Sequence, residues 1–298
     1  MTQVLTLIGG VGTDGIITDL AAEVLSALVD AGAAAQPPDW LKPREACDIY
    51  FSGIGSADAA AIAGDQLAKV PIDVAVQSVA GRCKRLLVAD MESTIITREL
   101  VDEIARLTGL GSQIAEITGR SMRGEIDFAQ SLRERVAMLA GLRAELLDQV
   151  EELIELMPGA HTLVRTMKHV GARTALVSGG FGRFAAVAAE RCGFDEYHAN
   201  HLEICDGKLT GKVAEPILDR TGKRETLERI ARRFRLPLEA CLAVGDGAND
   251  IDMLQSAGLG VAFHAKPAVA AVARFRLDHA DLTGLLYLQG YRSEEIKE

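Results

Sequence analysis

The chain has 298 residues, enough for one large domain or for two domains with cores of their own. Its 48% hydrophobic and 25% charged residues are ordinary for a globular protein. The formal net charge of −10 argues against broad nucleic-acid binding, which needs a basic face. An anionic substrate would therefore need a local cation, either a metal ion or a Lys or Arg side chain.

The five cysteines are scattered without a Cys-x-x-Cys pair, which is typical of reduced, buried thiols. No window reaches the roughly 20 apolar residues of a membrane span, and the N-terminus lacks the pattern of a secretory signal. We therefore expect a cytoplasmic protein that does not associate with membranes.

The first 81 residues predict a small module of their own. Alternating and helical patterns follow one another in the order β-α-β-α-β. The predicted elements are a strand at 3–8, a helix at 13–30, a strand at 48–52, a helix at 57–69 and a strand at 72–79.

The next apolar run, 85–89, ends at Asp90, and Glu92 follows two residues later. Such a run predicts a buried strand of a parallel sheet, and ligands bind at the carboxyl ends of these strands. One carboxylate could attack a substrate while the other moves a proton. Taken alone, the segment is equally well explained as a strand that ends in solvated acids.

Residues from about 96 to 158 show only helical periodicity. An all-helical insertion directly after the first strand of a sheet is well placed to act as a lid over the end of that strand. Glu99 and Arg135 in this insertion are candidates to reach a substrate. For either residue alone, a solvated helix charge is the more common role.

Later segments again place polar residues at strand ends and helix entrances. The strand at 173–177 ends at Ser178 and two glycines, whose hydroxyl and amide groups are suited to binding a phosphate. Lys223 lies at the start of a predicted helix. The strand at 240–244 ends just before Asp246 and Asp250. Carboxylates from separate strand ends suit Mg²⁺, which together with Lys223 would offset the negative charge. Asp90 would then attack phosphorus and form an aspartyl phosphate that water hydrolyses.

These segments together resemble the phosphoserine phosphatases of the haloacid dehalogenase-like (HAD) superfamily, over about residues 85–291. The motifs that carry the resemblance are Asp90-Met-Glu-Ser-Thr94, Met122 to Arg135, Ser178-Gly-Gly-Phe181, Thr221-Gly-Lys223 and Gly245-Asp-Gly-Ala-Asn-Asp250. The resemblance implies an α/β fold. A HAD-like Rossmannoid parallel sheet would occupy 82–298, with a helical cap at about 96–158 inserted after its first strand. The small α+β module at 1–81 is similar to ACT-like domains.

The resemblance also implies the reaction, which is hydrolysis of O-phospho-L-serine to L-serine and phosphate with Mg²⁺ as cofactor, the last step of serine biosynthesis. It makes Asp90 the nucleophile and Glu92 the acid that protonates the leaving serine oxygen and then serves as base for water. The implied metal ligands are Asp90, the backbone carbonyl of Glu92, Asp246 and Asp250. Asp250 could alternatively orient Lys223.

The substrate-binding residues are likewise implied by the resemblance. Ser178 and Gly179 would bind the phosphate, Lys223 would neutralise its charge, and Asn249 would contact substrate or metal-bound water. In the cap, Glu99 would pair with the substrate ammonium and Arg135 with its carboxylate, while Met122 and Phe128 would exclude water.

The chain departs from the family pattern at Glu92, where the family usually has Asp. The additional methylene carries the carboxyl group deeper into the site, and proton transfer needs heavy atoms within about 2.6–3.2 Å. We expect an active enzyme, because the acid function is retained and a small backbone or rotamer shift can absorb the length.

Three alternatives stay open at this point. The enzyme could act on another small phosphate: phosphothreonine adds only a methyl group, whereas a sugar phosphate lacks the charges that Glu99 and Arg135 would pair with. The chain could be a receiver module that holds an aspartyl phosphate for signalling. The N-terminal module could bind serine or form a homodimer.

Overall fold

The computed structural model describes residues 2–10, 12, 13 and 15–298, apart from the side chain of Met122. Its N-terminal part forms an antiparallel sheet with strand order β2-β4-β1-β5, in which β3 also pairs with β4. Two helices cover one face of this sheet through apolar side chains that recur at helical spacing, such as Ile17, Ala21 and Val24. The elements are β1 (Gln3–Gly9), α1 (Ile17–Asp30), β2 (Ala34–Ala35), β3 (Asp39–Lys42), β4 (Ala46–Ser52), α2 (Ser56–Leu67) and β5 (Ile72–Ser78).

The predicted β-α-β-α-β order is therefore present, with two additional short strands, β2 and β3, between the first helix and the second predicted strand. They lie in the segment that contains Pro37, Pro38 and Pro43, residues that favour a loop over a strand. Both strands are held by backbone hydrogen bonds to β4, and such distant pairing leaves little trace in local periodicity.

Residues 82–298, whose backbone is described throughout, contain a parallel sheet with strand order β13-β12-β11-β6-β7-β8. The central strands are buried on both faces, as expected where helices cover a parallel sheet. The strands are β6 (Leu86–Ala89), β7 (Arg173–Phe181), β8 (Glu196–Asn200), β11 (Cys241–Gly245), β12 (Leu259–Phe263) and β13 (Phe275–Leu277); β9 (Leu202–Cys205) and β10 (Lys208–Val213) form a separate hairpin.

Asp206 and Gly207 are typical of a two-residue hairpin turn, so the sequence predicts a hairpin over 198–213. The turn is as predicted, with positive φ at both residues, but the first part of the segment was assigned wrongly. Residues 196–200 pair in parallel with β7 and form the edge strand β8 of the main sheet.

Four helices, α3 to α6, lie between β6 and the next helix of the sheet layer, α7, and form the predicted insertion after the first strand. The hairpin supports this helical cap, since Leu209 exchanges backbone hydrogen bonds with Gly141 and Leu142. The helices are α3 (Leu100–Thr108), α4 (Gly111–Met122), α5 (Phe128–Ala137), α6 (Leu146–Glu151), α7 (Ala160–His169), α8 (Gly182–Cys192), α9 (Arg220–Arg233), α10 (Ile251–Ser256), α11 (Pro267–Ala270) and α12 (Gly284–Leu288).

Arg82 joins the N-terminal sheet to the segment around α12. Its guanidinium donates to both carboxylate oxygens of Asp48, at 2.5 and 2.9 Å, and to the hydroxyl of Thr6 at 3.1 Å. It also donates to the backbone carbonyls of Leu288 and Tyr287, both at 3.1 Å. Because Arg82 and Asp48 are buried, this bidentate pair both orients and stabilises the contact between the two parts of the chain.

Among the described residues, no helix has the length and apolar character needed to cross a membrane.

Candidate active site

Three neighbouring strands place the predicted polar residues at one edge of the sheet. Asp90 directly follows β6, Ser178 lies in the last part of β7, and Asp246 directly follows β11. Because β11, β6 and β7 are adjacent and parallel, these side chains emerge at the same end of the sheet. This is the edge at which open α/β sheets bind ligands.

Lys223 reaches this edge from the first turn of α9. The carboxylate of Asp219 caps the helix by accepting from the Gly222 backbone N–H at 2.9 Å. The Lys223 side chain is fully buried, and its Nζ donates to Asp90 Oδ1 at 2.5 Å and to Asp250 Oδ1 at 2.7 Å. Burial alone would lower the pKa of this ammonium, but the opposing effect of the charges of Asp250 and Asp90 is larger. The pKa of Lys223 is therefore raised above its usual value, and the side chain stays charged.

Asp90, Asp246 and Asp250 form an acidic cluster in which carboxylate oxygens lie within 4.8 Å of one another. Burial, followed by the charge of Asp90, raises the pKa of Asp246 and raises that of Asp250 to about 7. Such crowded, desolvated carboxylates are stabilised by additional positive charge, and their hard oxygens are suitable ligands for a divalent cation. The donor set therefore fits a metal ion.

The three acids differ in how free their oxygens are. Asp250 Oδ1 accepts from Lys223, and Asp250 Oδ2 accepts from the Gly247 backbone N–H at 3.0 Å. Both of its oxygens are therefore bonded, which favours the alternative in which Asp250 orients Lys223. Asp90 and Asp246 are left as the more available ligands.

Glu92 points between the sheet and the cap. Its Oε1 accepts from the Leu100 backbone N–H, at the start of α3, at 2.8 Å. Its Oε2 lies against Gly180, where a Cβ would approach it to 2.7 Å. Burial, followed by the charges of Glu99 and Asp90, raises the pKa of Glu92 to about 8, so the carboxyl group holds a proton at neutral pH.

Two glycines, Gly179 and Gly180, lie at the end of β7, and side chains from neighbouring elements pack against both of them. Ser178 Oγ accepts from the Gly180 backbone N–H at 2.9 Å, and Asn249 lies close to Gly179. Phe128, the first residue of cap helix α5, lies directly over Gly179, because a Cβ at that glycine would come within 2.8 Å of its ring. The cap therefore contacts the end of β7 in this structure.

The two charged cap candidates lie near the same centre. Glu99 Oε1 accepts from Ser93 Oγ at 2.9 Å. Arg135 is half-buried, and its Nε donates to the Ser131 carbonyl at 3.3 Å. Among the residues that the structure describes, its other guanidinium nitrogens have no hydrogen-bond acceptor and are available to a ligand. The charges of Glu99 and Arg135 both act on Glu92. Met122 ends α4, but its side chain lies outside the described part of the structure.

Lys266 is a nearby cation that the sequence interpretation missed. It follows β12 by three residues, and its Nζ lies 3.1 Å from Asp246 Oδ2 and 3.7 Å from Glu99 Oε1. The signal that could have revealed it is its place just beyond the carboxyl end of a parallel strand, a place shared with Asp90 and Asp246. Gly180 was also given no role, although its missing side chain leaves room for Glu92.

Comparison with known proteins identifies the family to which this chain is similar. Residues 84–258 match the haloacid dehalogenase-like hydrolases. The chain is 49% identical over 228 residues to phosphoserine phosphatase SerB2 of Mycobacterium tuberculosis, a match that covers 76% of this chain and 56% of that protein. It is 42% identical over 257 residues to a phosphoserine phosphatase of Streptomyces coelicolor, covering 86% of this chain and 63% of that protein. The chain thus spans less than two thirds of the length of these two relatives.

Solved structures show the same architecture. A probable phosphoserine phosphatase from Vibrio cholerae, in unliganded form, superposes with a TM-score of 0.78 at 32% identity, covering 99% of this chain and 88% of that one. A substrate-bound phosphoserine phosphatase complex superposes with a TM-score of 0.65 at 39% identity, covering 68% of this chain and 97% of that one.

Proposed function

The chain belongs to the haloacid dehalogenase-like hydrolases, and on that premise we propose that it hydrolyses O-phospho-L-serine to L-serine and phosphate. The observation that carries the proposal is the contact between Lys223 and Asp90 at the sheet edge, beside the Ser178 loop and beneath a cap that presents Glu99 and Arg135. The names of the relatives support the same substrate.

In the proposed mechanism, Asp90 attacks the phosphorus of the substrate, and the bond between phosphorus and the serine oxygen breaks. Protonated Glu92 gives its proton to that oxygen, so serine leaves as a neutral alcohol. The product is an aspartyl phosphate on Asp90. Water then attacks phosphorus while the Glu92 carboxylate takes its proton, and cleavage of the Asp90–phosphorus bond releases phosphate.

The remaining residues bind and neutralise the phosphoryl group. Lys223 balances its negative charge, while Ser178 and Gly179 donate hydrogen bonds to its oxygens and Asn249 contacts the substrate. Asp90, Asp246 and the backbone carbonyl of Glu92 would hold Mg²⁺, with Asp250 in support behind Lys223. When bound, Mg²⁺ would supply positive charge for the phosphate oxygens and for the crowded acids.

The charged residues of the cap indicate the class of substrate. A phosphorylated amino acid carries one ammonium and one carboxylate besides its phosphate, and the cap offers one acid, Glu99, and one arginine, Arg135. A bidentate pair between the guanidinium and the substrate carboxylate would orient the substrate. Phe128 over Gly179 would exclude water from the phosphate. We assign Met122 the same role, which stays a prediction.

Asp90 is only 5% exposed, which disfavours the receiver alternative, because a receiver must offer its aspartate to a partner kinase. A sugar phosphate would leave Glu99 and Arg135 without partners. Phosphothreonine remains a plausible secondary substrate, since one methyl group is worth about 1–3 kcal/mol of discrimination.

The test is phosphate release from O-phospho-L-serine, O-phospho-L-threonine and a hexose phosphate, with Mg²⁺ and with excess EDTA. We expect phosphoserine turnover that requires Mg²⁺ and is lost in Asp90→Asn. Because Asn keeps the shape of Asp90, the variant should remain folded by circular dichroism. Equal turnover of the hexose phosphate, or full activity of Asp90→Asn, would refute the proposal.

Several expectations about the whole protein stay predictions. These are a boundary at residues 81 and 82, a cap at about 96–158, an ACT-like N-terminal module, dimerisation through that module, and a cytoplasmic location. Serine titration of the full chain, with sedimentation analysis of its oligomeric state, would test those that concern the N-terminal module.

A further inference from the structure

Lys266 connects the two halves of the site. Its backbone N–H donates to the Asp246 carbonyl at 3.1 Å, which anchors the residue just before α11. Its ammonium lies 3.1 Å from Asp246 Oδ2 in the sheet module and 3.7 Å from Glu99 Oε1 at the start of the cap. The Lys266 side chain is 55% exposed, so it can move without disturbing the core.

Under the proposed function, Glu99 receives the ammonium of the substrate. In this structure the same carboxylate is already shared by Lys266 and the hydroxyl of Ser93. The ammonium of Lys266 therefore lies beside Glu99, where the proposed function places the ammonium of the substrate.

The presence of such a group changes how the site selects its ligands. A site that bonds a polar group rejects an analogue without that group, because its own residue is left unpaired. With Lys266 present, Glu99 keeps a partner even when the ligand brings no ammonium. Lys266 thus weakens the rejection of phosphorylated hydroxy acids that have the carboxylate and the phosphate only.

We propose that Lys266 is a specificity-determining residue. It pairs with Glu99, as in this structure, and yields to the ammonium of a phosphorylated amino acid while staying on Asp246. The inference rests on the proposed function and deepens it, since it names the ligand class that Lys266 allows into the site.

The experiment compares O-phospho-L-serine with 3-phosphonooxypropanoate, which has the same phosphate and carboxylate but no ammonium, at saturating Mg²⁺. The measured quantity is the ratio of kcat/KM for the two substrates. In Lys266→Met we expect this ratio to rise about two- to five-fold in favour of phosphoserine, the range of a solvent-exposed ion pair. Lys266→Arg keeps the charge and should keep the wild-type ratio.

Two further measurements separate this role from simple support of Asp246. In a Glu99→Gln background, Lys266→Met should no longer change the ratio. Calorimetric binding of L-serine and 3-hydroxypropanoate should show the same shift in Lys266→Met without any turnover.

An equal loss on both substrates, or a shift that persists in Glu99→Gln, would overturn the inference, because Lys266 would then act through Asp246 alone. The two proposals fail in different ways. Absence of phosphoserine turnover in the wild type refutes the proposed function, whereas turnover with an unchanged ratio in Lys266→Met refutes only the role of Lys266.

Discussion

Replacing Lys223 with methionine tests the electrostatics at the centre of the site. Methionine is uncharged and similar in length, so it retains most of the packing and removes the ammonium. Asp90 and Asp250 then lose their bonds of 2.5 and 2.7 Å, in a region where Lys223 and Asp250 are fully buried. Removing one partner of a buried ion pair typically costs about 3–5 kcal/mol, because the remaining charge has no counter-charge.

The loss of unfolding free energy in Lys223→Met should depend on pH in a defined direction. Burial already raises the pKa of Asp250 to about 7 with Lys223 present, and loss of the ammonium raises it further. A carboxyl group with a raised pKa in the folded state stabilises the protein fully below its unfolded pKa, and that stability is lost as the pH rises. The destabilisation by Lys223→Met should therefore be largest at pH 8 and shrink toward pH 5.

The assay is urea unfolding in EDTA at pH 5 and pH 8. Lys84→Met is the matched control, because Lys84 is also buried but its ammonium donates to the carbonyls of Gly81 and Glu239, which do not titrate. The free-energy cost of Lys84→Met should change less between pH 5 and pH 8 than that of Lys223→Met, because both hydrogen-bond acceptors of the Lys84 ammonium are backbone carbonyls. The double variant Lys223→Met/Asp250→Asn should recover about 1 kcal/mol or more at pH 8, as expected for directly coupled groups.

Wild-type stability of Lys223→Met at pH 8, or no recovery in the double variant, would refute this account of the site. With Mg²⁺ present, kcat/KM of Lys223→Met for phosphoserine should fall about 10²–10³-fold, as for loss of another preorganised charge-stabilising donor.

Three other changes have defined outcomes. Glu92→Gln should slow turnover about 10²–10⁴-fold, because the amide cannot carry the proton. The same variant should be more stable than the wild type at pH 9 but not at pH 4 by urea unfolding in EDTA. The reason is that the pKa of the partly buried Glu92 is raised to about 8, so the stability that it contributes below its ordinary pKa of 4.5 is lost as the pH rises through 8. Turnover of Glu92→Gln equal to that of the wild type would show that Glu92 is not the proton carrier. Gly179→Ala should raise KM for phosphoserine, because the new Cβ would meet the Phe128 ring at 2.8 Å. Adding Phe128→Ala to this variant should restore part of the affinity. An unchanged KM in Gly179→Ala would contradict the contact between Phe128 and Gly179. Arg82→Met should lower the free energy of unfolding by about 3–5 kcal/mol, because Asp48 is left buried without its partner. A decrease of less than about 1 kcal/mol would show that the ion pair between Arg82 and Asp48 contributes little to stability.

Sequence patterns alone predict which end of the sheet carries the polar residues of the candidate site. Apolar runs that end at Asp90, Ser178 and before Asp246 indicate parallel strands, and the carboxyl ends of parallel strands meet at one edge. Helical periodicity without strands after Asp90 likewise indicated the inserted cap. These features are local in the chain, because each depends only on the spacing of apolar and polar residues within one element.

Contacts between elements that are distant in the chain could not be predicted from such patterns and are seen only in the folded protein. The additional strands β2 and β3, and the place of residues 196–200 in the main sheet, follow from backbone pairing that local patterns do not encode. The position of Lys266 between Asp246 and Glu99, and the space that Gly180 leaves for Glu92, depend on how separate loops pack. The same holds for Arg82, whose partners Asp48 and Leu288 lie far from it along the chain.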